Sequence, residues 1–137
     1  ILDEGIDNVV ARHTRIATGV RLAVEAWGLE LCAVSPDVYS DTVSAICTPE
    51  GFNATDIVTH AADVYGVAFG VGLGEVAGKV FRIGHLGSLT DVMMLSGLAT
   101  AEMCMVDLGL DIKLGSGVAA AQEYYRTNPA ASQKDAA

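Results

Sequence analysis

The sequence predicts an α+β domain, a small and mostly antiparallel sheet with helices packed on one face. Three observations predict it. Four segments repeat apolar residues at helical spacing, short apolar or β-branched runs with strand character lie between them, and the elements open in the order α, β, β, α rather than in strict alternation. The 137 residues, 51% hydrophobic and 18% charged, suit one core. At this length roughly two thirds of the unfolded surface is buried on folding, so neither disulfides nor a structural metal is needed.

Between Asp3 and Trp27 the residues Ile6, Val9, Val10, Ile16, Ala17, Val20, Val24 and Trp27 recur at three and four, with Arg12, Arg15, Arg21 and Glu25 on the other face. This is an amphipathic helix, and His13 on its apolar stripe reads as a satisfied, half-buried histidine. Gly28 is placed to stop it, and residues 29–34 alternate as a first strand ending at Ser35-Pro36-Asp37. Residues 42–47 form a second strand, β-branched and period two, broken by Pro49-Glu50-Gly51. Asn53 then caps a helix to about Tyr65, with Asp56 in its first turn and His60 on its surface.

Residues 67–69 read as a short strand, and the glycine-rich stretch 70–78 connects it to a strand over 79–84, giving a hairpin. Ser88 with Asp91 three residues on resembles a capping box opening a long helix to about Leu108, closed by Gly109. Val92, Met93, Met94, Leu95, Leu98, Ala99, Met103, Met105 and Val106 leave that helix little polar face, which predicts burial on most sides. A last helix runs from about Ser116 through Tyr125. The domain is therefore 1–126, and the polar, alanine-rich residues 127–137 are predicted to be a disordered tail.

Composition excludes several function classes. The formal charge of −9 comes from 17 acids against 8 bases with no basic cluster, so the footprint needed to hold nucleic acid is missing. Apolar runs are broken well short of the ~20 residues of a membrane span. Cys32, Cys47 and Cys104 are odd in number and lack any CxxC or Cys/His pairing; they read as reduced, buried thiols, and no metal site is expected. The start at Ile1, acidic and helical rather than basic and apolar, suggests a cut inside a longer cytoplasmic protein.

The glycine-rich stretch fails as a phosphate loop. Leu73 and Val80 stand where a Walker loop needs glycine and Ser or Thr, and the stretch opens a strand where a dinucleotide fingerprint would open a helix. His13, His60 and His85 fall on separate elements, and no nucleophile motif is present. Arg82 resists a bland account. It is read as the end of an apolar strand just before a turn, where a guanidinium would face a cleft and could grip a carboxylate bidentately. The competing reading is a surface arginine whose stem covers the sheet edge.

Residues Gly78-Lys79-Val80-Phe81-Arg82-Ile83-Gly84-His85-Leu86-Gly87 resemble the C-terminal portion of class V aminotransferases, most nearly the bacterial serine-glyoxylate group. Ala26-Trp27-Gly28-Leu29, residues 39–46, Gly74-Glu75-Val76-Ala77-Gly78 and residues 115–124 agree in order and spacing. The resemblance implies a small domain that closes over amino-acid and 2-oxo-acid substrates in a homodimeric enzyme whose large domain holds pyridoxal phosphate. It implies that Arg82 binds the substrate carboxylate. Neither Lys79, Lys113 nor Lys134 matches the family's Schiff-base lysine motif, so no catalytic or cofactor-binding residue is assigned, and the chain alone is expected to be inactive. The predicted strand at Cys47 and apolar helix at Cys104 argue against a desulfurase. A different class stays open: a free-standing α+β module that binds a small carboxylate or a partner subunit.

Overall fold

The protein was analysed as a computed structural model, which describes residues 3–130. These run as α1 (Ile6–Ala26), β1 (Glu30–Leu31), β2 (Val43–Cys47), α2 (Ala54–Tyr65), β3 (Gly70–Val71), β4 (Val80–Gly84), α3 (Asp91–Asp107) and α4 (Ser116–Thr127), with single 3-10 turns at Pro36–Val38 and Gly74–Val76. One antiparallel sheet has the order β1-β2-β4-β3. The α+β class holds, with the four helices on one side.

Alternation makes the two sheet faces unlike. Ile46, Phe81 and Ile83 point into a core shared with Ile16, Val20 and Val24 of α1, Ile57 of α2, Leu98 and Met105 of α3, and Ala121 and Tyr125 of α4. Arg82 and Gly84 alternate with Phe81 and Ile83 on β4, so they occupy the face the helices leave open. A one-residue slip would exchange Phe81 and Ile83 for Arg82 and Gly84. At about 1.5–3 kcal/mol for each large apolar side chain, that loss, with a buried charge added, fixes the register.

Several boundaries differ from expectation. β1 keeps only Glu30 and Leu31 in the ladder; Cys32 N–H still reaches Ala45 O at 2.9 Å before the chain turns at Ser35 and Pro36. Residues 67–69 are not a strand, because Val67 N–H closes the end of α2 on Ala61 O at 3.0 Å and Gly66 takes the left-handed conformation there (φ 67°). The strand falls instead at Gly70–Val71, inside the glycine-rich stretch, opposite Arg82 and Phe81. The cap of α3 is Thr90 rather than Ser88: its hydroxyl accepts from Met93 N–H at 3.3 Å. Val92 and Met93 in the first turn of α3 are exposed, so burial on most sides begins only at Met94.

Asn53 caps α2 as expected, accepting from Thr55 N–H at 3.1 Å. α4 extends to Thr127, one residue into the predicted tail, and Arg15 donates to the Asn128 carbonyl. Residues 131–137 of that tail lie outside the described residues. Arg15 also grips Asp91 through two bonds of 2.6 and 2.7 Å and reaches Tyr125 O at 3.0 Å, tying α1 to α3 and α4.

Candidate functional site

Arg82 is the third of the five residues of β4, paired with Ala45 on β2 and Gly70 on β3. It is not at the strand end: β4 continues to Gly84, and His85 N–H still bonds Thr42 O at 2.9 Å. Nor does it face a cleft within these residues. The helices pack on the opposite face, and the two surface cavities described, one of about 170 Å³ beside Arg21 and Tyr39 and one along Leu22, Glu25 and Leu29, are not lined by Arg82. It lies half-buried on an open sheet face, with its Nε–H donating to Val71 O at 2.9 Å.

The other four arginines are paired. Arg12 meets Glu4 at 2.7 Å, Arg15 meets Asp91 at 2.6 Å, Arg126 meets Glu123 at 2.7 Å, and Arg21 meets Asp41. Among the described residues, Arg82 is the one arginine with no carboxylate partner. Its terminal nitrogens are therefore available to an anion from outside this chain.

The segment that follows Arg82 is held from two sides. His85 is fully buried, with Nδ1 at 3.0 Å from Asp41 O and Nε2 at 2.9 Å from Ser44 Oγ. Burial lowers its pKa below the usual 6.5, so the ring is neutral at pH 7; Nδ1–H donates to the carbonyl, and Nε2 accepts from the hydroxyl. His13 is buried and hydrogen-bonded, in keeping with a satisfied histidine. Its Nδ1 donates to Val9 O at 2.7 Å and its Nε2 accepts from Gly87 N–H at 3.0 Å, while Arg12 reaches Gly87 O at 2.6 Å. Burial opposes ionisation of Asp41, but the Thr14 hydroxyl and the Arg21 guanidinium hold its carboxyl below the usual carboxylate range. The backbone after Arg82 thus carries its own scaffold.

Some of this was invisible in sequence spacing. His60 pairs with Asp107 at 2.8 Å across α2 and α3, and Ser44 lies 41 positions from His85. Of the three thiols expected to be buried, Cys104 is, Cys47 is half-buried and Cys32 is exposed, because Cys32 lies past the end of β1 on the side away from the helices. Among the described residues no three His, Cys, Asp or Glu side chains gather as metal ligands, and no helix is long and apolar enough to cross a membrane. Lys79 and Lys113 are exposed, and neither lines a described cavity.

No family profile matches the chain. It is 72% identical over all 137 residues to L-aspartate–glyoxylate aminotransferase of Paracoccus denitrificans, covering 35% of that protein, and 58% identical over 125 residues, 91% of the chain, to serine–glyoxylate aminotransferase of Hyphomicrobium methylovorum, covering 31% of it. The crystal structure of pyridoxamine-pyruvate aminotransferase from Mesorhizobium loti superposes with a TM-score of 0.86 at 34% identity, over 93% of this chain and 33% of that one.

The chain is homologous to glyoxylate aminotransferases.

This aminotransferase homologue spans about a third of the length of the curated relatives it matches. The four-stranded antiparallel sheet with helices on one face is the fold of the matching part of its structural relative.

Proposed function

We propose that the chain forms the C-terminal, substrate-closing domain of a pyridoxal-phosphate-dependent transaminase that moves an amino group to glyoxylate or a related 2-oxo acid, and that Arg82 binds the substrate carboxylate. The observation that carries the role of Arg82 is its lack of any carboxylate partner among the described residues while every other arginine has one. Every candidate substrate of a glyoxylate transaminase carries a carboxylate, which two parallel N–H donors suit. Relatives named for aspartate and for serine support aspartate as a candidate donor beside the serine and alanine expected from the resemblance.

The described residues do not fit the cofactor by themselves. Its aldehyde needs a lysine held over a pocket, and Lys79 and Lys113 are exposed and away from the cavities. Cofactor binding is accordingly assigned to the remainder of a longer, cytoplasmic, homodimeric protein.

The test is amino transfer to glyoxylate by the full-length enzyme, with serine, aspartate and alanine as donors, for wild type, Arg82→Ala and Arg82→Lys. Two charge-assisted bonds of about 1.5–3 kcal/mol each predict that Arg82→Ala raises KM for glyoxylate by roughly 10²-fold or more. An unchanged KM would remove Arg82 from the site. No transfer to glyoxylate from any donor would remove the reaction class.

A further inference from the structure

Gly70 has no conformational reason to be glycine. Its φ lies outside the left-handed region, so its backbone is one any residue adopts, and glycine inside a strand weakens the strand. What crowds a side chain there is Arg82. A Cβ on Gly70 would stand 3.1 Å from Arg82 Nε, 3.2 Å from its Cβ and 3.4 Å from its Nη2, tighter than ordinary contact. The guanidinium therefore lies across β3 over the place a side chain would fill, with its Nε–H on Val71 O. On the other flank the register sets Ala45, the smallest side chain that still has a Cβ.

We infer that Gly70 is a positioning residue for Arg82: it keeps open the trough across β3 in which the guanidinium lies, so that Nε stays on Val71 O and a ligand carboxylate is met end-on by the two terminal nitrogens. The inference rests on the proposed carboxylate role of Arg82. A guanidinium can take a carboxylate end-on through Nη1 and Nη2 or side-on through Nε and Nη2. The bond to Val71 O occupies Nε and leaves the end-on mode. A methyl group at position 70 would press on Nε and Nη2, which can move, and on Arg82 Cβ, which cannot and which Arg82→Lys retains, so the part of its effect that depends on the guanidinium should fall on carboxylate binding.

The experiment uses the full-length enzyme as wild type, Gly70→Ala, Arg82→Ala, Arg82→Lys and the double variant Gly70→Ala/Arg82→Lys, with KM and kcat for glyoxylate and the melting temperature of each. Gly70→Ala should raise KM about tenfold with kcat within about twofold and no fall in melting temperature. In the Arg82→Lys background, which has no Nε or Nη2 to displace, the same change should add less than about twofold. An unaltered KM in Gly70→Ala alongside a raised KM in Arg82→Ala would overturn the inference alone. So would an equal penalty in both backgrounds, which would mark general damage to the sheet. An unaltered KM in Arg82→Ala would overturn the carboxylate reading beneath it. A crystal structure of the wild-type enzyme with bound glyoxylate supplies a check that needs no variant: end-on contacts from Nη1 and Nη2 support the inference, and a carboxylate on Nε overturns it.

Discussion

Trp27 Nε1–H donates to Glu102 Oε1 at 2.8 Å inside the core, and the same carboxylate caps the helix that follows in sequence. Gly115 N–H reaches Oε2 at 2.6 Å, and Gly117 and Val118 N–H reach Oε1 at 2.7 and 3.1 Å. α4 has glycine at its own cap position and no side-chain cap, so Glu102 on α3 supplies the acceptors and the negative charge that the helix N-terminus favours. Glu102→Ala should destabilise the domain by about 3 kcal/mol or more, because it leaves one indole and three backbone N–H groups without their acceptor. Glu102→Gln keeps the shape and an acceptor oxygen and should cost about half that. Urea unfolding of the variants checks both, and a Glu102→Ala value indistinguishable from wild type would deny Glu102 this role.

Close approach of α1 to α4 depends on Gly19. A Cβ there would overlap the Tyr125 ring, whose hydroxyl donates to Ile16 O at 2.8 Å. Alanine gains about 1 kcal/mol over glycine in helix propensity. Overpacking costs about 1–3 kcal/mol, so the clash wins where Tyr125 cannot move. Gly19→Ala should lower the melting temperature, and Tyr125→Ala should relieve the clash so that the double variant loses less than the sum of the two. Additive losses in a double-mutant cycle would count against a direct contact.

The helices and the two longer strands were legible because their information is local: periodicity, Asn53 at a cap, Gly109 beyond an end. The two shortest strands were misjudged because two-residue strands exist through their partners. Gly70–Val71 is a strand by virtue of β4, and Val67 is not one because its N–H closes α2. Arg82 differs from the other arginines in having no carboxylate partner among the described residues, but it lines neither described cavity, since the helices take the other face. Glu102 went unnoticed among the apolar residues of α3, because nothing in its neighbourhood along the chain marks it as the acceptor for residues 13 to 16 positions away and for Trp27, 75 positions away.

Thiol chemistry separates the three cysteines. Burial, with the Asp107 charge adding, pushes the Cys104 thiol up to about 11, which leaves about one molecule in a thousand as thiolate at pH 8. Burial also raises Cys47, with the neighbouring Cys32 thiol contributing. Iodoacetamide at pH 8 should label exposed Cys32 first, Cys47 more slowly, and Cys104 only after unfolding, as read by peptide mass spectrometry. Labelling of Cys104 at the rate of Cys32 would contradict the burial of α3.

His85 gives the fold a pH dependence whose sign follows from its environment. Its folded pKa lies below the usual 6.5, chiefly through burial, so above pH 6.5 both folded and unfolded rings are neutral and the group does not alter stability with pH. As pH falls below 6.5 the unfolded chain takes up the proton first. Stability is then lost until pH passes the lowered folded pKa, below which both states are charged and the loss stops growing. Asp41, Asp107 and Glu123 have carboxyls held low by their partners, and their contribution is lost at more acid pH, below the usual 3.8 to 4.5. From pH 6.5 to about 5 these carboxylates stay charged, and since His13 and His60 lie in the same protein, comparison with a His85 variant is what separates the His85 contribution. Urea midpoints across that interval should fall for wild type and fall less for His85→Gln, whatever the fixed cost of the substitution. Equal slopes would show that His85 does not carry the neutral-ring requirement its bonds to Ser44 and Asp41 impose.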